Sequence, residues 1–164
     1  MSKIAPCLWF DNQAEEAANF YVATFRDCGQ EAAIGSILRC GDAGPGPKGS
    51  VLTVGFTLAG QEFVALNGGP HFVFSPAISL TVTCADQAEV DRFWERLSEG
   101  GEPGQCGWLK DKFGVSWQIV PGMLPAMLRD ADPARAGRVM QALMQMTRLD
   151  IDALRKAYDG AAAG

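Results

Sequence analysis

Along residues 51–58 apolar and polar positions alternate strictly, with Leu52, Val54, Phe56 and Leu58 on one side and Val51, Thr53, Gly55 and Thr57 on the other. A period of two is that of a strand with one face buried. The same reading predicts strands over 4–10, 33–40, 62–66, 79–84 and 115–120. In 62–66, Val64 and Leu66 share one side, opposite Phe63, Ala65 and Asn67. Ser79, Thr81 and Thr83 lie opposite Leu80, Val82 and Cys84. In the last strand Trp117 and Ile119 form a greasy side, while Ser116, Gln118 and Val120 form a side that carries an amide.

Between these strands the period changes to that of a helix. Asn12 and Glu15 stand at capping-box spacing, and Ala17, Phe20, Tyr21 and Thr24 form an inner stripe of a helix ending near Phe25. Asp86 and Glu89 repeat the spacing ahead of Val90, Phe93, Trp94 and Leu97, and Gly100-Gly101 ends that helix. Gln13-Ala14-Glu15 followed by Phe20-Tyr21 is echoed by Gln87-Ala88-Glu89 followed by Phe93-Trp94. The echo predicts a duplicated strand-helix-strands unit, about 1–70 and 71–122, within one domain over 1–122. Residues 123–164 read as a helical extension that packs on the domain or on a partner subunit. Pro133 opens a helix in that tail with Val139, Met140, Leu143, Met144 and Thr147 on one stripe, and Asp150 caps a last helix carrying Ile151, Leu154 and Tyr158.

Turn chemistry divides the rest. The run 41–50 holds too much glycine and proline to be regular, and it reads as an exposed hairpin tip, either a tolerated insertion or a lid. Asp111 to Gly114 reads as an acidic turn feeding the last strand. Asn67-Gly68-Gly69-Pro70 reads as a bend, whose alternative role would be to offer backbone amides to an anion.

Composition narrows the function classes. With 164 residues and 48% apolar content the chain can bury one substantial core. A net charge of −5 argues against a phosphate-backbone partner, so no nucleic acid is expected. No apolar run is long enough to cross a bilayer, and Met1-Ser-Lys leads into a strand-like segment in place of a signal peptide; a cytoplasmic protein with no membrane partner is the expectation. The five cysteines, Cys7, Cys28, Cys40, Cys84 and Cys106, form no C-x-x-C pair and read as reduced thiols packed as small apolar side chains.

Acid-base chemistry has few candidates. His71 is the sole histidine, which rules out a two-histidine motif within one chain and reads as a loop residue. Groups able to recognise a ligand without ionising are more numerous: Thr53, Thr57, Asn67, Ser79, Thr81, Thr83 and Gln118, with Phe63 or Trp108 as a wall.

Leu8-Trp9-Phe10-Asp11, the run from Leu66 to Phe72, the run from Gly100 to Gly114 and the run from Trp117 to Pro121 resemble the PhnB-like branch of the vicinal oxygen chelate superfamily, whose members include glyoxalases, extradiol dioxygenases and bleomycin-resistance proteins. That branch is often labelled demethylubiquinone 3-methyltransferase-like. The resemblance implies an α+β fold of tandem βαβββ units forming a curved mixed sheet with C-terminal helices, and a homodimer. In metal-dependent relatives each unit supplies cup-facing ligands early in its first strand and in its last. Carried over, those positions resemble Pro6, Ala65, Ser79 and Gln118, none of which is a histidine or carboxylate, so neither metal nor cofactor is expected.

The expected function is therefore binding of a small molecule by Asn67, Ser79, Thr81, Gln118, Trp108 and Phe63, with no catalytic residue assigned. The alternative is a lyase, isomerase or oxidoreductase of the same superfamily acting on a small oxygenated substrate, with Cys7, Cys106, His71 or Asp111 as the titrating group. A third reading, a structural or interaction protein with a filled interior, rests on the Met-rich tail. Methyl transfer is not expected, because no Gly-rich loop follows a strand of a parallel sheet.

Overall fold

The structure, a computed structural model, describes residues 2–160. Its elements run β1 (Cys7–Phe10), α1 (Ala14–Asp27), β2 (Ala32–Arg39), β3 (Val51–Leu58), β4 (Gln61–Asn67), β5 (Ser79–Cys84), α2 (Gln87–Ser98), β6 (Glu102–Pro103), β7 (Trp108–Lys110), β8 (Ser116–Pro121), α3 (Leu124–Leu128), α4 (Pro133–Met144) and α5 (Ile151–Asp159). The chain divides into two compact units, the first ending at Phe74 and the second starting at Ser75. Each has its own four-stranded sheet, ordered β1-β4-β3-β2 and β5-β8-β7-β6. In both, the first and last strands pair in parallel and the others antiparallel. The duplication read from the two helices thus extends to the topology.

In the first unit α1 packs over β2, β3 and β4. Alternation aims Val54, Phe56 and Leu58 at the helix, and register brings Phe63 and Ala65 to the same side. Tyr21 stacks on Phe56 at 6.1 Å and Phe56 on Phe63 at 5.2 Å. Each such ring contributes roughly 1.5–3 kcal/mol by leaving water. In the second unit α2 covers β5, β7 and β8, burying Phe93, Leu97, Leu109, Trp117 and Ile119.

Several local expectations change. The first strand begins at Cys7 and leaves Ile4 81% exposed, since Pro6 has no amide to pair. At α1 the N-cap is Gln13 and makes no side-chain cap, so the Asn12–Glu15 box does not form. The amide of Ala14 donates instead to Asn67 Oδ1 at 2.8 Å. At α2 the N-cap half of the box forms, the Glu89 amide donating to Asp86 Oδ1 at 2.8 Å, while Glu89 Oε2 accepts from the amide one residue before the cap, that of Ala85, at 2.6 Å. Phe20 is only half-buried.

The tail docks on the second unit. Leu124, Val139, Leu149 and Leu154 form a buried cluster against which Val120 of β8 packs. Gln87 ties the tail to the start of α2, its Nε2 donating to the Leu149 carbonyl at 3.0 Å and its Oε1 accepting from the Ile151 amide at 2.8 Å. Met140 and Met144 of α4 are exposed, and Thr147 lies beyond the helix end, so the methionine stripe is not the packed one. Among the described residues no helix is long and apolar enough to cross a membrane.

Candidate functional site: the helix-free faces of the two sheets

Each sheet has one face under α1 or α2 and an opposite face free of that helix, although on the second sheet Val120 of this opposite face packs against the tail cluster; the polar side chains are divided between the two faces by register. On the second sheet Ser79 pairs with Ser116, Thr81 with Gln118, and Gln118 with Trp108. Because Trp117 and Ile119 point at α2, all of Ser79, Thr81, Trp108 and Gln118 fall on the helix-free face. Gln118 Nε2 donates to Ser79 Oγ at 2.9 Å. Thr81 is exposed, while Ser79, Trp108 and Gln118 are half-buried. Lys110 lies on the same face, its Nζ 4.0 Å from Glu102 Oε2.

The first sheet treats its polar residues differently. Thr53 and Thr57 lie on the helix-free face, but Asn67 and Phe63 lie on the helix side. Phe63 is 7% exposed and stacked on Phe56. Asn67 holds the start of α1 through Oδ1 and donates from Nδ2 to the Val51 carbonyl at 3.0 Å. Both glycine amides after it are also engaged, Gly68 with the Phe10 carbonyl at 2.9 Å and Gly69 with the Asp11 carbonyl at 3.2 Å. A Cβ at Gly68 would lie 2.2 Å from the Trp9 ring, which explains the glycine there. This segment is a bend with its amides spent.

The duplication also corrects the carried-over metal positions. Gln13 and Gln87 match, and the same offset takes Ser79 to Ala5, not Pro6. Phe10–Asn67 and Cys84–Pro121 are the closing pairs of the two parallel ladders, so Gln118 matches Val64, not Ala65. Ala65 is 0% exposed beneath α1. The equivalent set is Ala5, Val64, Ser79 and Gln118, which contains two side chains with no donor atom, a hydroxyl and an amide. Such a set does not fit a catalytic divalent metal. Among the described residues no three His, Cys, Asp or Glu side chains come together in a metal-binding group.

Ala5 and Val64 nevertheless line a hollow of about 390 Å³, with Ser2, Ala33, Gly55, Thr57 and Glu62 among its walls. That volume falls in the range of small-molecule pockets. Sequence patterning missed Ala5 and Val64 because neither is polar; the offset between the helix motifs is the signal that finds them. A hollow of about 380 Å³ under the 41–50 loop is lined by Asp11, Asn12, Glu15 and Asn67. The loop carries a Lys48–Asp42 ion pair at 2.9 Å. A hollow of about 560 Å³ at the starts of α2 and α5 has walls of mixed charge, including Asp91 and Arg148, which pair at 3.4 Å.

Each titrating candidate has its own local setting. Asp111 is 2% exposed; its Oδ1 accepts from the amides of Phe113 at 2.8 Å and Val115 at 3.1 Å, and its Oδ2 from Trp117 Nε1 at 2.9 Å. It holds the turn that feeds β8. Burial pushes the Cys7 thiol up, which favours the protonated, less nucleophilic form. His71 is exposed on the segment after β4. Cys106 sits in the turn before β7 with φ +59.

Residues 2–120 match the family described as 3-demethylubiquinone-9 3-methyltransferase. Among solved structures, the PhnB protein of Bacillus cereus is 39% identical, with 73% of this chain and 99% of that chain covered at a TM-score of 0.65. A protein from Pseudomonas aeruginosa is 22% identical over 74% of this chain and 98% of its own, with a TM-score of 0.60, a likeness of fold. A glyoxalase/bleomycin resistance protein from Albidiferax ferrireducens is 15% identical over 73% and 98%, with a TM-score of 0.46. No curated protein matches the chain.

Proposed function

The chain belongs to the 3-demethylubiquinone-9 3-methyltransferase family, and within it we propose that this protein binds a small oxygenated molecule without a metal at the usual positions. One observation carries the reading: the Gln118–Ser79 hydrogen bond at 2.9 Å stands on a helix-free sheet face beside Thr81 and the half-buried Trp108. An amide and hydroxyls can match carbonyl and hydroxyl groups of a ligand, and an indole supplies an apolar wall. The hollow over Ala5 and Val64 on the matching face of the first sheet adds support.

Methyl transfer, despite the family's description, has no support from the fold, since neither mixed sheet is the open parallel sheet with a glycine-rich first loop. A lyase, isomerase or oxidoreductase reading ranks second. It needs a titrating group on the face, whereas Asp111 is committed to its turn and the Cys7 thiol is pushed up. We further propose a homodimer, which sedimentation velocity tests, located in the cytoplasm, which cell fractionation tests.

The binding reading is tested by ligand-observed NMR against a panel of small hydroxy acids, diols and phenols. Replacing Ser79 and Gln118 together with alanine is expected to weaken any binder at least about tenfold, as loss of two polar contacts would. Unchanged affinity in a folded double variant would sink the site.

A further inference from the structure

The family match ends at residue 120, and 99% of the B. cereus chain is covered by 73% of this one. The helical tail lies outside what they share. It does not simply cover core, because its connector runs along the turn that precedes Trp108. The amide of Cys106 donates to the Met146 carbonyl and that of Gly107 to the Thr147 carbonyl, both at 2.8 Å. Leu149, 0% exposed, seats against Gly107 so closely that a Cβ there would lie 3.0 Å from its Cγ. On its other side the Gly107 carbonyl accepts from the Ile119 amide at 2.8 Å, next to Gln118.

This turn closes on itself, the Trp108 amide donating to the Gln105 carbonyl at 3.1 Å and the Gly104 amide to the Trp108 carbonyl at 2.8 Å, and the tail adds a second hold. Cys106 and Gly107 are consecutive left-handed residues, at φ +59 and +83. A side chain in that region costs on the order of 1 kcal/mol and persists only where surroundings enforce it. The two amides of the strained pair are the ones the tail accepts from. Without them only the turn's own Gln105–Trp108 bond holds Cys106 at positive φ, so the turn and Trp108 beside it are held less firmly.

We propose that the C-terminal tail is a positioning brace for the ligand face, with Leu149 as its key side chain, setting Trp108 against Gln118. The proposal rests on the reading of that face as the binding site, and docking of the tail and ligand affinity are then linked reciprocally. Leu149 touches no ligand; it acts through Gly107.

The test uses the full chain labelled with 5-fluorotryptophan, the Trp108 resonance being assigned with Trp108→Phe. Leu149→Ala is expected to shift or broaden the Trp108 signal and to speed exchange of the Cys106 and Gly107 amides at least about tenfold. Val139→Ala, a cavity in the same cluster away from the turn, should leave both unchanged, and the Trp9 signal of the first unit should stay fixed in every variant. If Leu149→Ala does not fold, Leu149→Val carries the same comparison. A folded Leu149 variant with an unmoved Trp108 signal and unchanged exchange overturns the brace, as does a Val139 variant that moves Trp108 equally. No ligand enters this measurement, so an empty ligand screen would count against the binding reading alone.

Discussion

The two units share a topology, yet they spend their polar side chains in opposite ways. In the first, the amide at the end of the last strand, Asn67, turns towards the helix and serves both the first amide of α1 and the Val51 carbonyl. In the second, Asp86 caps α2 from within the helix's own sequence, Asp111 holds the turn before the last strand, and Gln118 stays on the helix-free face. A unit whose structural polar work is done by local residues can leave an amide available for a ligand. The difference ties architecture to function, and it can be attacked at each anchor.

Asp111 carries the largest expected effect. Asp111→Asn keeps the shape but replaces a carboxylate oxygen with an NH₂ group facing donors, so a buried donor loses its partner; the cost should be about 3 kcal/mol in urea denaturation. A loss below about 0.5 kcal/mol would mean that Asp111 is not the anchor of the second unit.

Asn67 and Gln118 then test the comparison itself. Asn67→Ala should cost about 2 kcal/mol, from a lost helix cap and an unsatisfied carbonyl. Gln118→Ala, whose one hydrogen bond is on a half-buried face, should change stability by less than about 0.5 kcal/mol while weakening ligand binding. Equal stability losses at the two would erase the division of labour between the units.

The caps provide a finer version. Asp86→Ala should cost about 1 kcal/mol, whereas Asn12→Ala should be nearly silent, because α1 takes no side-chain cap from its own sequence. Thermal midpoints of the two variants measured side by side decide it.

These contrasts also mark what the sequence could tell. The period-two runs located β3, β5 and β8 well, and Asp86 and Asp150 were legible as caps because each acts on an amide three residues away. Gln118 was legible opposite Trp117 and Ile119, and Ser79 and Thr81 opposite Leu80 and Val82, whereas Trp108, in a strand too short to read, joins them only through its pairing with Gln118. In β4 the alternation separated Phe63, Ala65 and Asn67 from Val64 and Leu66, but both sets are largely apolar, and periodicity does not say which one the helix covers. That decision is tertiary, and it is why Phe63 and Asn67 lie on the helix side. The cap at α1 was illegible for the same reason: Asn67 reaches Ala14 from 53 residues away. Likewise α3 and the two-residue β6 are too short for a periodic signal.

The smallest expected effect lies in the tail that braces the second unit, and it is a dependence on pH. Tyr158 Oη donates to Asp130 Oδ2 at 2.6 Å, and Arg135 sits over the Tyr158 ring at 5.1 Å. The tyrosine hydrogen bond, aided by the Asp132 amide and Arg135, lowers the pKa of Asp130. A carboxyl held lower in the folded state than in the unfolded one stabilises the fold above its unfolded value, and that stabilisation is lost as pH falls through the folded one. Tyr158→Phe should therefore lower the thermal midpoint slightly at neutral pH, with a gap from wild type that narrows only below about pH 4, where carboxylates protonate. Since the pair is at the surface, the gap should also shrink in high salt. A gap that stays constant down to acid would assign the contribution of Tyr158 to its ring packing against the buried cluster of the tail rather than to Asp130.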